Sequence, residues 1–581
     1  MKVQEQFVSE CEAAVKKVLA TMGAPEDVKI VKEIPENADL AIPCFTFSKA
    51  LKMAPVAIAE KIASEIKVPC GLITGLTALN GYLNFNIDNA ALVSDLLQEV
   101  VEKDADFGKS APTGIRVNVE HTSTNPTGPV HVGRARNPII GDTLARCLKL
   151  RGHDVTTEYY VNDVGKQVVM MSWAVANVTP EEVQKEIEET EKADDRDKVD
   201  HRLVYNYRVA NKKVFQVPEM EAEIAEILRK FEAGDQETID HVKKVAEAML
   251  GGINETLAAM NVKLDRYTWE STFIANGAAK EIVRKLQNTP YSGQTEDGAS
   301  FVDLKDFGIH GKNTKFTFTR ADGTTLYTTR DLAYHEDKFS RSDRVIDVLG
   351  EDQKLGSQQL CSALQIMGRT EKPEALFYAF VSLPEGRMST RKGVVVYLDD
   401  LVEEATDRAL EEIKKRRSDL SEEKMLAIAK AVGVGAVRYN IVRVGADKQL
   451  VFKWEDALSF DGNSGPYLQY VHARACSMLR KAGDVKWDTD GSKLTDEYEL
   501  KLAKTLARFE NVLKDIDETK RVHMMPAYGH EVATAFNQFY AAVPVLQAGD
   551  SRDARLTLVK ATKVVLANVL GCLGIEAPEE M

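Results

Sequence analysis

The sequence predicts an α/β protein: an open parallel-sheet domain at the centre, a small α/β domain before it and an all-α bundle after it. Three observations predict this. Ile115 to Val161 reads as strand, loop, helix and strand. Strand and loop patterns resume from Lys263 to Gln353 after a charged helical run. From about Thr406 the apolar residues keep helical spacing to the end. A chain of 581 residues is long enough for about three or four domains.

Residues 1 to about 106 form the first unit. The opening MKVQEQFVSECEAAVKKVL is a charged amphipathic helix, with Phe7, Cys11, Val15, Val18 and Met22 on one stripe. A signal peptide has a different build. A polar loop follows around Pro35 to Asp39, then an amphipathic helix from Pro55 to Ile66. Gly81 to Asp88 alternates as a strand, Ala90 to Val101 is helical, and DFGKSAPTG is a linker rich in turn formers. Tyr82 and Phe85 offer rings for base stacking, although core packing is the commoner use of such rings.

The central unit opens with a strand, Ile115 to His121. Gly128-Pro129 breaks the chain, and a helix runs from about Val132 to Leu150, with Ile139, Ile140, Leu144, Cys147 and Leu148 at helical spacing. Gly152 stops it, and Val155 to Val161 is the second strand. This is a Rossmann-like β-α-β unit, whose loop lies where open parallel sheets bind nucleotides. His131 and Gly133 stand at the helix start, where unpaired backbone N–H groups suit phosphate. Glycine permits close approach of a ligand, and His131 can donate to a phosphate oxygen as charge develops. Alone, an H-x-G triplet is matched as readily by a capped surface helix.

Pro180 to about Met260 is helical and strongly charged, with its acidic excess concentrated in residues 181–200, and reads as an insertion into the sheet domain. Lys263 to Ser271 brings back a strand. Gly323 to His335 leads from a strand into a helix, and Arg344 to Gln353 is a strand and loop. Ser382 to Val402 holds Arg387, Arg391 and Lys392 among glycines and small polar residues. Mobile cationic loops suit triphosphate during phosphoryl or adenylyl transfer, while a basic surface turn is the plainer reading of this loop in isolation.

In the last unit, GVGAVRY from Gly433 lacks a third glycine and a preceding strand, so it reads as a small-residue helix face rather than a dinucleotide site. A helix starting after Pro466 puts Tyr467, Tyr470 and Arg474 on one face. The last helix, Ala554 to Leu573, repeats apolar residues at Leu556, Val559, Leu566, Val569 and Leu573. Such a bundle with an aromatic-basic stripe can hold a single-stranded nucleic-acid loop. For any one of these rings, packing is the more frequent role.

Composition excludes several classes. The net charge of −14 argues against a generic DNA binder and restricts nucleic-acid contact to local patches. No apolar run is long enough to span a bilayer. Seven cysteines occur with no C-x-x-C pair, which argues against structural zinc and a disulfide framework and fits a reducing cytosol.

Taken together, NPTGPVHVGRARN, YTWES, LYTTRDLAYH, RMSTRKG, GNSGPYLQYVHARA and the ending LGIEAPEEM resemble the arginyl-tRNA synthetases, class I enzymes, in their archaeal-looking form. The resemblance covers essentially the whole chain. It implies a tRNA-elbow domain over 1–106, a catalytic domain over 114–405 with an insertion at about 178–260, and a helical anticodon-binding domain over 406–581, DALR-type from 465. It implies ATP-dependent ligation of L-arginine to tRNA(Arg) through arginyl-adenylate. Magnesium accompanies the ATP, and the family is commonly monomeric and cytoplasmic.

Residue by residue, the resemblance implies an arginine site of Glu120, Ser123, Asn125, Glu270, Tyr327, Asp331 and Gln353. Ser123 and Asn125 orient the amino acid, and Glu270 reaches its α-ammonium. A guanidinium wants planar, acceptor-rich partners, which Glu120, Asp331 and Gln353 can supply with Tyr327 against the plane. For ATP the resemblance implies His131, Gly133, Arg134, Asn137, Arg387, Met388 and Ser389, with His131, Arg134, Arg387, Ser389, Arg391 and Lys392 catalytic. For tRNA it implies Tyr82 and Asn84 at one end and Tyr467, Tyr470, Arg474 and Met581 at the other.

Four positions depart from the family pattern. Arg134 replaces the second histidine of H-x-G-H. Gly356 stands where the family often has histidine. The basic loop begins with Arg387 and has Thr390 in place of its second lysine. Two other readings fit parts of the chain: a small-molecule nucleotidyltransferase of the same sheet type, and a non-catalytic tRNA-binding relative of a synthetase.

Overall fold

The computed structural model describes every residue except 34, 36, 37, 191–195, 215, 312, 313, 383–396, 418 and 461. The amino-terminal unit contains α1 (Lys2–Thr21), β1 (Leu40–Pro43), α2 (Pro55–Glu65), β2 (Ile73–Leu79), β3 (Tyr82–Ile87) and α3 (Asn89–Lys103). Its sheet is antiparallel in the order β1-β3-β2. The alternation read from Gly81 onward is correct: Leu83, Phe85 and Ile87 are buried, while Tyr82 and Asn84 lie half-buried on the other face. Phe85 is therefore core and unavailable to a base. β1 and β2 were hidden from periodicity, because β1 is buried at all four positions and β2 mixes small with apolar residues. Asp88 caps α3 by accepting from the Ala91 N–H at 3.1 Å.

The central sheet is built from β4 (Arg116–Glu120), β5 (Asp154–Val161), β6 (Arg266–Trp269), β7 (Arg344–Gly350) and β8 (Glu374–Tyr378). All neighbours are parallel, in the order β8-β7-β4-β5-β6. Strand order reverses at β4, so a crevice opens beyond the carboxyl ends of β4 and β7. The helix expected from Val132 begins as a single 3-10 turn, Val132–Arg134, before α4 (Arg136–Leu150). α4 is buried through most of its length, and its buried polar residues Arg136, Asn137, Asp142 and Thr143 are bonded inside the fold. Gly141 makes the crossing possible, since a Cβ there would lie 2.3 Å from the His121 Cβ.

The helical insertion starts earlier than the acidic run suggests. α5 (Lys166–Asn177) already leaves the sheet, followed by α6 (Pro180–Glu189), α7 (Val199–Val214), α8 (Pro218–Ala233) and α9 (Gln236–Ala259), with their own core around Phe231 and Ile224. Before β7 comes α10 (Tyr327–Arg341), and α11 (Lys354–Ile366) follows β7. The strand before α10 lies earlier than expected: Lys315–Thr317 pairs antiparallel with Ser300–Asp303, and residues 323–326 add to it only through an isolated bridge, Thr319 to Thr325.

The helical part begins with α12 (Leu398–Arg416), which runs through the expected boundary at 405. It continues through α13 (Glu422–Val442), α14 (Gly465–Ala482), α15 (Glu497–Ala507), α16 (Phe509–Thr519), α17 (Met524–Ala542) and α18 (Arg552–Cys572). Gly433 is a packing glycine, as its sequence context implies: a Cβ there would come within 2.9 Å of the Ala405 backbone on α12. By length and composition α13 is apolar enough to cross a membrane, contrary to the expectation that no stretch is. In the fold 78% of its apolar window is buried, so it is a core helix. Arg438 on α13, fully buried, donates to the carbonyls of Leu573 and Met260, each at 2.6 Å, and pairs with Asp142 on α4. One guanidinium thus joins the bundle, the end of the insertion and the sheet domain.

Candidate active site and nucleic-acid surfaces

The loop expected to bind nucleotide follows β4. Thr122 (φ 73°) and Ser123 (φ 37°) both take left-handed backbone, which costs a non-glycine residue energy and is held only when neighbours over-determine it. The neighbours are identifiable. Asn137 accepts from the Thr122 N–H at 2.6 Å and donates to the Val348 carbonyl at 3.0 Å. Ser123 Oγ donates to Glu120 Oε1 at 3.0 Å and accepts from the Tyr160 N–H at 3.1 Å. Tyr159 donates to the Thr124 carbonyl at 2.6 Å. Asn137, expected at ATP, uses its buried amide to clamp this loop to β7. His121 is buried beneath α4, and burial pushes its imidazole down to about 4, so it is neutral near pH 7.

His131 caps the 3-10 turn, its Nδ1 accepting from the Gly133 N–H at 3.0 Å. In the neutral ring that places the proton on Nε2, a directed donor. Residues 131 and 397 form an isolated bridge, and the Leu398 N–H donates to the Val130 carbonyl at 2.7 Å. The chain just after residues 383–396 is thereby pinned to the nucleotide loop. Arg387, Met388, Ser389, Arg391 and Lys392 lie outside the described residues. Arg134 is exposed on the turn, and its charge bears on Tyr159 and Tyr378 beside the loop.

Sequence reasoning missed Arg136. Its guanidinium is completely buried, and Nη1 donates to the carbonyls of Ala379 (2.8 Å), Ala446 (3.1 Å) and Lys448 (2.7 Å). Nη2 reaches Val444 at 3.2 Å and Gly445 at 3.0 Å. Burial lowers its pKa to about 10, so the charge persists. It ties the first turn of α4 to the segments after β8 and α13.

The expected arginine site gathers around α10. Tyr327 is its first residue, 69% exposed, and Asp331 lies one turn later. Glu120 ends β4, and exposed Gln353 closes the 3-10 turn after β7. Asn125 is half-buried in the loop, its carbonyl accepting from the Thr127 N–H at 2.8 Å. Two of the expected substrate acceptors already hold internal cations. Glu120 Oε2 accepts from Lys338 at 2.6 Å, and buried Glu270 pairs with Arg330. Burial raises the Glu270 carboxyl to about 7 while Arg330 pulls it down. Arg330 and Lys338 sit inside the LYTTRDLAYH motif or three residues beyond it. Their charge within a mostly buried helix was the available signal.

At the far ends, Tyr82 packs edge-on against Phe45, centroids 5.4 Å apart, and Phe45 is exposed on the same domain. In the bundle, Arg474 donates to Tyr470 Oη and to Asn537 Oδ1, each at 2.7 Å, and Asn537 donates to Tyr467 Oη at 2.9 Å. Tyr467 therefore braces α14 against α17. Tyr470, Arg474 and Met581 line one cleft together with Tyr540, Arg480 and Lys481, which sequence reasoning did not name. Arg474 lies over the rings of both Tyr470 and Tyr540, 4.7 and 5.0 Å from their centroids.

Among the described residues, Asp200, His201 and Asp399 place potential metal-ligand atoms within 4.8 Å of one another. Lys198 occupies that cluster, 3.0 Å from Asp399 Oδ1 and 3.4 Å from Asp200. It is an ion-pair junction between α7 and α12.

A strand–loop–helix unit at the reversal point of a parallel sheet, joined to a helical bundle, fits a class I aminoacyl-tRNA synthetase fold. Residues 96–454 match the family described as tRNA synthetases class I (R), catalytic domain, residues 468–581 the DALR anticodon binding domain, and residues 9–87 the arginyl tRNA synthetase N-terminal domain. The catalytic match runs past the expected limit of 405, in keeping with the Arg136 clamp on residues 444–448. The chain is 44% identical to the arginine--tRNA ligase of Methanocella arvoryzae over 99% of this chain and 100% of that one. It is 40% identical to the Methanocaldococcus jannaschii arginine--tRNA ligase over 93% of each. The Thermus thermophilus arginyl-tRNA synthetase structure superposes with a TM-score of 0.82 at 28% identity, covering 99% of this chain and 100% of that one. The chain belongs to the arginyl-tRNA synthetase family.

Proposed function

We propose that this protein joins L-arginine to tRNA(Arg) in two steps driven by ATP. The arginine carboxylate attacks the α-phosphorus, the bond to the β-phosphate oxygen breaks, and pyrophosphate leaves with the electron pair. A hydroxyl of the 3′-terminal ribose then attacks the carbonyl carbon of arginyl-adenylate, and AMP departs. One observation carries the reading: the His131–Gly133 turn and the carboxylate-bearing face of α10 meet the same reversal point of one sheet, through β4 and β7.

In this reading the His131 Nε2–H donates to phosphate oxygen as charge builds, and the N–H groups at the start of α4 add to it. Arg134 supplies a further cation to the nucleotide, and Arg387, Ser389, Arg391 and Lys392 act on it as well, as the resemblance implies. ATP enters as its magnesium complex. Asp331 and Glu120 accept from the guanidinium, Tyr327 covers its plane, and Gln353, Ser123, Asn125 and Glu270 orient the amino acid. Glu270 does so alongside Arg330, which shares its charge.

The bundle cleft holds the anticodon loop, and the Tyr82–Asn84 face with Phe45 takes the tRNA elbow. A charge of −14 supports contact through such patches rather than through bulk attraction, and no DNA or membrane partner is part of this reading. Seven unpaired thiols support a reducing, cytoplasmic setting, where the protein works as a monomer without zinc. Pyrophosphate exchange tests the assignment: it should require arginine and be stimulated by tRNA(Arg). Exchange driven equally by other amino acids, or none in the presence of both substrates, would overturn it.

A further inference from the structure

Beneath the arginine site lies a row of acids of which the substrate accounts only for Glu120. In the sheet register Asp347 of β7 pairs with Glu120 of β4, and Glu120 pairs with Glu158 of β5. Residues in register on parallel neighbours share a face, so three carboxylates stand side by side. Like charges this close cannot all remain ionised in a buried setting without cations. α10 supplies them. Lys338, with no exposed surface, lies 2.6 Å from Glu120 Oε2 and 2.7 Å from Asp347 Oδ1. Arg341, one turn on, pairs with Glu158 at 2.6 Å. His335 joins Asp347 at 2.9 Å to Asp331 at 3.1 Å.

We propose that Lys338, seconded by His335, is a positioning residue that sets the preference for a cationic over a neutral side chain by keeping Glu120 an ionised acceptor. The proposal rests on the reading of Glu120 and Asp331 as guanidinium partners. Asp331, Asp347 and Glu120 carry three negative charges, and His335 and Lys338 return two. One negative charge is left over, which a single guanidinium neutralises. A guanidinium offers only donors, so it needs ionised acceptors. A protonated Glu120 would present an O–H, which the carbonyl oxygen of a neutral ureido group accepts equally well.

Burial pushes the Glu120 carboxyl up, and Lys338 acts against it. Burial and Lys338 press the His335 imidazole down, but Asp347 and Asp331 outweigh them and hold it at about 10, so it stays a cation at neutral pH. The other groups facing Glu120 are the Ser123 hydroxyl from the loop, Tyr160 from β5 and Tyr334 from α10. Both phenols are neutral. Glu158 has Arg341 as its own cation, so Lys338 is the cation Glu120 depends on.

The test compares Lys338→Met and Lys338→Arg in the full-length protein. Exchange with tRNA(Arg) present is measured on arginine and on citrulline, its neutral isostere, from about pH 6.5 to 9. Lys338→Met should raise arginine KM roughly tenfold, as expected for one lost charge-assisted contact, and leave ATP KM unchanged. It should cut the arginine-to-citrulline ratio of kcat/KM by a similar factor, and arginine use should recover as pH rises and Glu120 ionises. Lys338→Arg should keep most of the ratio. An unchanged ratio, or equal and pH-independent losses on both substrates, overturns the proposal. If Lys338→Met does not fold, Glu120→Gln imitates the protonated carboxyl and must show the same shift toward citrulline; failure to do so overturns it too. Asp331→Asn separates the two levels. If it is silent, the site reading itself fails. If it is impaired while Lys338→Met is silent, only this inference fails.

Discussion

The two ends of the molecule treat positive charge in opposite ways. Around α10, Lys338, His335 and Arg330 are buried and bonded to carboxylates before any ligand arrives. In the cleft between α14 and α17, Arg474 rests on Tyr470 and Tyr540, which are 39% and 43% exposed. A small charged ligand gains from dipoles and charges that need no reorganisation, and low local polarity makes each of them count. A flexible polyanion gains from exposed rings and cations that adapt to it and are screened by salt. In the proposed reading the same residue types therefore serve selection in one region and docking in the other.

The largest test of this contrast lies at the nucleotide loop. His131→Ala should lower kcat by about 10²–10³, the usual cost of one preorganised donor to developing charge, with little change in tRNA KM. Single-turnover adenylate formation measures it, and a wild-type rate would remove His131 from the chemistry. Next comes Asp331→Asn, expected to cost about 1.5–3 kcal/mol in arginine kcat/KM, roughly ten- to a hundredfold. ATP KM should not move.

At the docking end, Tyr470→Ala should cost about 1–2 kcal/mol in tRNA KM, the lower part of the stacking range for an exposed ring. Its effect should shrink as salt rises if Arg474 acts with it, and arginine KM should stay fixed. A change in arginine KM without one in tRNA KM would reverse the contrast drawn above. The smallest effect belongs to Arg134→Ala. Because this cation is exposed, its loss should cost only about 1 kcal/mol, a several-fold rise in ATP KM. A fully silent variant would place Arg134 outside the nucleotide site.

The sequence by itself determined what depends on near neighbours along the chain. The β4–loop–α4 stretch was legible because strand alternation, the Gly128-Pro129 break and helical spacing are all local. The Tyr327–Asp331 pairing was legible because four residues make a helical turn. Gly433 was readable as a packing surface for the same reason. The tertiary structure decided whatever joins distant segments. Lys338 meets Glu120 across 218 positions, and Arg136 meets Ala446 across 310. Neither partner is implied by spacing. Strand order puts Glu120 beside Asp347, and that juxtaposition turns an ordinary helical lysine into a buried counter-charge. The Asn137 amide was open to a nucleotide in the sequence and was claimed by β7 in the fold. A polar group's partners depend on what burial brings within about 3 Å of it, and only the packed chain specifies that.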